Sequence, residues 1–384
     1  MKVLLFSPLA LENGRGGEIS LIELAAGLSK FFNITLIDTN RIMGEKLLSK
    51  KVIIQKLSAV KSIKHLRFAT LRILNRTFSI PFPLEFLKLA REIKKNNIIY
   101  SSLGTVKINL MLIFSYLVNR KAKFVIGFRR PLYSEKKISL YNLKYRFSIL
   151  LLSLFKKRLH FHTISFHAKK FLENFYKPNR ITHIIHGVEL SNFVSKSIDY
   201  TGKKKLNFIY VGHLDDTHKG VGVLLKAIEE LLIEKKNIKI FFEFCGIGPL
   251  KPRLINLQKK FPKFILYNGY VSNDQIADFY KKNDIFLFTS RREPLGRVII
   301  EALASKLVII CTLTYGSIEI LKKQDFAFFI HNLTPQAIKE KILEVYNLWD
   351  TDQIKIEDLQ ESAKNYALQN YSFITELEKF KTLF

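Results

Sequence analysis

Short apolar runs alternate with helix-length amphipathic stretches along nearly the whole chain, and this alternation limits the possible folds more than any single residue does. Strands are predicted at 2–7, 34–39, 52–57, 98–101, 124–128, 159–164 and 183–186, then at 208–212, 240–245, 264–267, 285–288, 307–311 and 326–330. Helix-length segments lie between them, among them 224–234, 272–282, 299–304 and 335–349. The strands are unbroken runs of Val, Ile, Leu and Phe, the pattern of parallel strands buried on both faces. Two such sets, divided by a polar Ser/Lys-rich linker at 187–205, predict an α/β chain of two doubly wound parallel-sheet domains, 1–186 and 206–365. The tail reads as helical with an interruption near Tyr371-Ser372. Its last part, 366–384, either packs on the second domain or returns to the first. A length of 384 residues exceeds one usual core and agrees with two.

The charge is lopsided. Residues 1–185 hold 34 basic and 9 acidic side chains, whereas 186–384 hold 28 and 24. Cys245 and Cys311 sit in apolar runs and read as buried, reduced thiols. The first apolar run is too short for a secretion signal, and the stretches 108–118 and 147–155 are too short to span a bilayer.

Open α/β sheets bind ligands beyond the C-terminal ends of their strands, so residues that follow strands are the candidates. After the first strand come Gly16 and Gly17, where a helix begins. After the strand at 208–212 come His213 and Lys219, donors suited to a phosphate. The strand at 240–245 exits through Gly246 and Gly248. The strand at 285–288 leads through Glu293, Leu295 and Gly296 into a helix bearing Glu301. That spacing sets one carboxylate at a helix start and the other about two turns along, able to accept hydrogen bonds from a polyhydroxylated ligand.

The ordered set Gly16-Gly17, Gly187-Val188-Glu189 with Phe193, Val211-Gly212, Lys219-Gly220, Gly246 with Gly248, Glu293-Pro294-Leu295-Gly296 and Glu301-Ala302 resembles the retaining GT-B glycosyltransferases of family 4. The resemblance covers almost the whole chain and is densest over 206–304. It implies two Rossmann-like domains facing across a cleft, with a nucleotide-diphosphate sugar held mainly by the second. It implies that Lys219 meets the diphosphate, Glu301 the ribose and Glu293 the donor sugar. The amides of Leu295 and Gly296 would lie near sugar and phosphate, and Gly16 and Gly17 would close over the diphosphate. It implies no metal and no further cofactor. The one Asp-x-Asp, Asp350 and Asp352, reads as a solvated turn.

Three residues depart from the family pattern. His213 stands where arginine is usual, so diphosphate stabilisation would weaken or pass to Arg291, Arg292 or Arg297. His186 replaces the usual linker asparagine. Arg129 stands nearest the place of a histidine that faces the reacting sugar, and can hold an anion but cannot serve as a base. The paired histidines His160 and His162 read as structural.

The basic half takes the acceptor in such enzymes. Residues 41–72 hold nine basic residues and one acid, and Lys144, Arg146, Lys156, Lys157 and Arg158 interleave with an apolar face. This predicts contact with an anionic inner-membrane surface and a glycan or lipid-linked acceptor, in a cytoplasmic, peripheral enzyme of lipopolysaccharide-type synthesis. A nucleotide-sugar epimerase on the same scaffold is the rival enzyme. A basic nucleic-acid-binding protein is the rival class, although no nucleic-acid motif appears.

Overall fold

The computed structural model describes residues 1–7, 16–38, 62–65, 68–73, 76–81, 83–102, 106–128, 159–174, 176–194, 204–272, 275–293 and 295–384. The predicted strand at 52–57 and the residues Arg129, Lys144, Arg146, Lys156, Lys157 and Arg158 lie outside them. The chain divides into two compact units, Met1–Ile185 with Glu376–Phe384, and His186–Thr375.

The first unit carries β1 (Lys2–Ser7), β2 (Asn33–Asp38), β3 (Ser62–His65), β4 (Phe68–Ile73), β5 (Arg76–Pro81), β6 (Ile98–Ser102), β7 (Lys123–Phe128), β8 (Leu159–Thr163) and β9 (Ile181–His183). Helices α1 (Gly16–Leu28), α2 (Pro83–Lys95), α3 (Val106–Val118) and α4 (Phe166–Glu173) lie between them. Seven strands form one parallel sheet, in the order β3-β2-β1-β6-β7-β8-β9. The antiparallel hairpin β4–β5 and the short β3 are not foreseen by the apolar pattern, because lysines and arginines interrupt it there. Gly16 and Gly17 open α1, as expected of a helix start after β1.

The second unit carries β10 (Leu206–Val211), β11 (Ile240–Cys245), β12 (Ile265–Gly269), β13 (Ile285–Phe288), β14 (Val308–Thr312) and β15 (Ala327–Ile330). Its helices are α5 (Val221–Glu234), α6 (Lys251–Lys260), α7 (Ile276–Lys281), α8 (Arg297–Ala304), α9 (Tyr315–Leu321), α10 (Pro335–Thr351) and α11 (Gln353–Tyr371). The six strands are parallel in the order β12-β11-β10-β13-β14-β15, and every residue of β13 and β14 is buried. Burial on both faces is why these strands read as unbroken apolar runs. Both cysteines are buried thiols, and burial raises Cys245 to about 12. Asp350 lies in α10, and Asp352 caps α11 by accepting the Lys355 amide at 2.9 Å, so this Asp-x-Asp punctuates two helices and is not a solvated turn.

The tail breaks at Ser372, so the expected boundary at 366 falls inside α11. The linker explains the break. Val188 N–H donates to the Tyr371 carbonyl and the Phe373 N–H donates back to the Val188 carbonyl, both at 3.0 Å. Then α12 (Phe373–Leu383) runs into the first unit. There Phe380 is fully buried, with ring centroids 4.7 Å from His162 and 6.0 Å from Tyr100.

Both paired histidines are structural. His162 is fully buried between the Tyr100 hydroxyl at 3.2 Å and the Ile184 carbonyl at 3.0 Å. His160 Nε2 meets Thr182 Oγ1 at 2.7 Å, and burial, with Lys123 and Arg180 nearby, pulls its imidazole down from 6.5 to about 4. An unfolded chain protonates this group near 6.5, so the stability it contributes is full above that pH and is lost as pH falls towards 4. Denaturation of His160→Gln should therefore show an acid loss smaller than wild type by about 1–2 kcal/mol across that window, the half-buried ring being partly screened by solvent. Parallel curves would clear His160 of that role.

Candidate active site

The order of the second sheet reverses between β10 and β13, which lie side by side. A crevice outside the strand ends opens where the order reverses. Two segments leave the sheet there, Gly212–Gly220 after β10 and Thr289–Gly296 after β13.

The first segment is a turn built by aspartates. Asp215 Oδ1 accepts the His218 amide at 2.7 Å and the Lys219 amide at 3.4 Å. Burial works against its charge, but those amides and the neighbouring histidines outweigh it and hold the carboxyl below its usual range. Asp216 Oδ1 accepts the Gly222 amide at the start of α5.

The second segment is stitched to the first. Thr289 Oγ1 donates to the Lys219 carbonyl at 2.9 Å, and the Arg291 amide donates to the His218 carbonyl at 2.8 Å. Arg291 Nε donates to the Asp216 carbonyl at 2.8 Å, and its Nη2 lies 3.2 Å from Asp216 Oδ2. The consequence is that Lys219 Nζ meets Glu293 Oε2 at 2.5 Å, across 74 positions of sequence. Lysine and glutamate side chains there are 25% and 17% exposed, so water and a ligand can reach them while screening is incomplete. The Glu293 carbonyl accepts the Gly316 amide at 3.0 Å, which ties this corner to the start of α9.

Gly296 caps the start of α8 at φ +87°, a left-handed conformation that a side chain strains. Glu301 lies in the second turn of α8. Its Oε2 is 3.4 Å from the hydroxyl of buried Tyr280, and its Oε1 is 3.7 Å from Arg297 Nε. Gly246 and Gly248 follow β11, and the Gly246 amide donates to the Gly269 carbonyl at 2.7 Å. His213 is exposed at the β10 exit, its carbonyl accepting the Tyr210 hydroxyl at 3.0 Å.

The structure thus joins Lys219 to Glu293 and sets Glu301, Leu295 and Gly296 on the segment that continues from Glu293. Of the three arginines expected to assist His213, Arg291 lies against Asp216 and Arg297 has its Nε 3.7 Å from Glu301. Sequence reading missed Asp215, Asp216, Thr289 and Tyr280. An aspartate pair just after a strand is a turn signal that would have exposed the first two. Among the described residues, no group of three or more His, Cys, Asp and Glu is placed to hold a metal, and no helix is long and apolar enough to cross a membrane.

Residues 196–367 match the family "Glycosyl transferases group 1". An uncharacterized glycosyltransferase of Methanocaldococcus jannaschii is 24% identical over 210 residues, which cover 51% of this chain and 51% of that protein. A putative teichuronic acid biosynthesis glycosyltransferase of Bacillus subtilis is 33% identical over 134 residues, 35% of this chain and 31% of that one. The chain spans about half or less of these relatives' length. The crystal structure of Anabaena HepE in complex with UDP superimposes with a TM-score of 0.76 at 15% identity, covering 100% of this chain and 99% of the other.

Proposed function

We propose that this chain, whose residues 196–367 form a glycosyl transferases group 1 domain in a GT-B fold, is a retaining transferase of sugar from a nucleotide-diphosphate donor. The acceptor is a glycan or lipid-linked glycan of bacterial surface polysaccharide synthesis of the lipopolysaccharide type. The observation that carries this reading is the Lys219–Glu293 pair at the place where the strand order of the second unit reverses. A lysine ammonium has three donor hydrogens, so Lys219 can keep Glu293 as a partner while it binds a diphosphate oxygen. Glu293 then faces the sugar attached to that diphosphate, and Glu301 accepts hydrogen bonds from the ribose.

Transfer follows as the acceptor hydroxyl attacks the face of the sugar from which the diphosphate departs. The departing phosphate oxygen takes the hydroxyl proton, and the configuration is retained. Lys219 stabilises the charge that develops on that oxygen, and no metal is called for. The protein supplies positioning and electrostatics, with no side-chain nucleophile. The +25 of residues 1–185 supports an acceptor held at the anionic inner face of the cytoplasmic membrane.

A thermal-shift panel of UDP-, GDP- and ADP-sugars tests the donor reading. One nucleotide series should stabilise the protein, and Glu301→Ala should weaken that donor about tenfold or more, as loss of hydrogen bonds to a carboxylate implies. Unchanged affinity would refute the ribose role. Release of nucleoside diphosphate only when an acceptor is present separates transfer from epimerisation. Wild-type protein that stays in the supernatant of anionic vesicles would sink the membrane placement.

A further inference from the structure

A depression of about 370 Å³ opens in the second unit beyond the Lys219 corner. Its floor is Ser290, Thr312 and Ile330, all buried, at the C-terminal ends of the neighbouring strands β13, β14 and β15. Its rim is exposed Arg291, Arg292, His218 and His331, with Thr217 beside them and Leu313 and Leu333 on an apolar side. Among the described residues, Lys219, Glu293 and Glu301 do not line it, and neither does any acid. It is therefore a separate concavity, one strand further along the sheet.

Its chemistry is directional. Asp216 engages Arg291 through Nε and one Nη2, which fixes the guanidinium plane and leaves the hydrogens of Nη1 to a further acceptor. The Arg291 amide bond to the His218 carbonyl holds the rim in one piece. Thr312 Oγ1 donates to the Ser290 carbonyl at 2.5 Å, so the floor is also fixed. Arginine paired with imidazole over a strand-end floor suits an oxyanion, and the apolar side suits the C–H face of a sugar ring. The volume lies at the lower end of the roughly 300–1,000 Å³ usual for ligand sites, which suits a monosaccharide or slightly more.

We propose that this depression is a second ligand site, for a saccharide bearing a phosphate or a carboxylate, and that it is filled while nucleotide occupies the Lys219 corner. The nucleotide's place at the Lys219 corner rests on the transferase reading; the anion site does not.

Titration of glucose 6-phosphate, glucuronate, glucose and inorganic phosphate, with UDP, GDP or ADP saturating the donor corner, tests it by ligand-observed NMR. At least one of the two anionic sugars should bind in the presence of nucleotide, more tightly than glucose and than inorganic phosphate. Arg292→Ala and His331→Ala, both exposed, should each weaken it about tenfold, as loss of one charge-assisted bond implies, and His331→Ala should leave nucleotide affinity unchanged. Preference between the two sugars tells phosphate from carboxylate. Binding that nucleotide abolishes, that inorganic phosphate matches, or that both variants leave intact would overturn the proposal, as would no binding. If none of the nucleotides binds, the donor reading fails, and the same titrations without nucleotide still decide this one.

Discussion

Lys219→Ala should lower transfer by about 10² to 10³, or about 3–4 kcal/mol of transition-state stabilisation, while the fold persists. In the proposed transfer the departing diphosphate gathers charge as the glycosidic bond breaks, and Lys219 is the cation that the Asp215 turn and Thr289 hold at the corner. Glu293→Gln should separate binding from chemistry. Removing the carboxylate charge 2.5 Å from Lys219 leaves the ammonium more available to a diphosphate. Affinity for the nucleoside diphosphate should hold or rise, while kcat falls by a factor of about 10². Titration calorimetry and steady-state kinetics on the two variants check this. A Glu293→Gln enzyme with wild-type turnover would remove Glu293 from the sugar, and a Lys219→Ala enzyme with wild-type turnover would remove Lys219 from the diphosphate.

Gly246→Ala should damage the same unit from a different side. A Cβ built on Gly246 runs into the carbonyl oxygen of Gly212, where the exits of β10 and β11 are pressed together. The obstacle is backbone, so no side chain can swing aside. The Gly246 φ of +149° adds strain of its own. We expect a loss of about 2–4 kcal/mol in unfolding free energy, with donor binding lost as the Gly212 exit shifts. Chemical denaturation and the donor thermal shift report the two effects separately. A stable variant with intact donor affinity would mean that the two exits have room to part.

This gives Gly246 a packing role, where the sequence marked it as a glycine at a strand exit among the donor-site candidates. Glycine turns, Lys219 and Glu293 were legible as candidates because they lie on segments that leave strand ends, Glu301 because it lies on the helix that such a segment starts, and parallel strands announce themselves by unbroken apolar runs. The second unit was legible almost throughout for that reason. The first was less so: β3 and the hairpin β4–β5 are rich in basic and polar residues, and the hairpin pairs antiparallel. What holds the site residues was not legible. Tyr280 reaches Glu301 from 21 positions away, and Arg291 turns to Asp216 from 75 away, so neither partnership leaves a local trace. Arg291 looked like help for a diphosphate, and that it also locks a loop was not legible. The tail at 366–384 posed a choice that periodicity left open. The aromatic contacts of Phe380 with Tyr100 and His162 answer it within the first unit.

The most direct test is a crystal structure of the protein with the nucleoside diphosphate of its preferred donor. The diphosphate should sit within hydrogen-bond distance of Lys219 Nζ, and a ribose hydroxyl should lie against the Glu301 carboxylate. A nucleotide bound away from both side chains, with the Lys219–Glu293 pair untouched, would contradict the account.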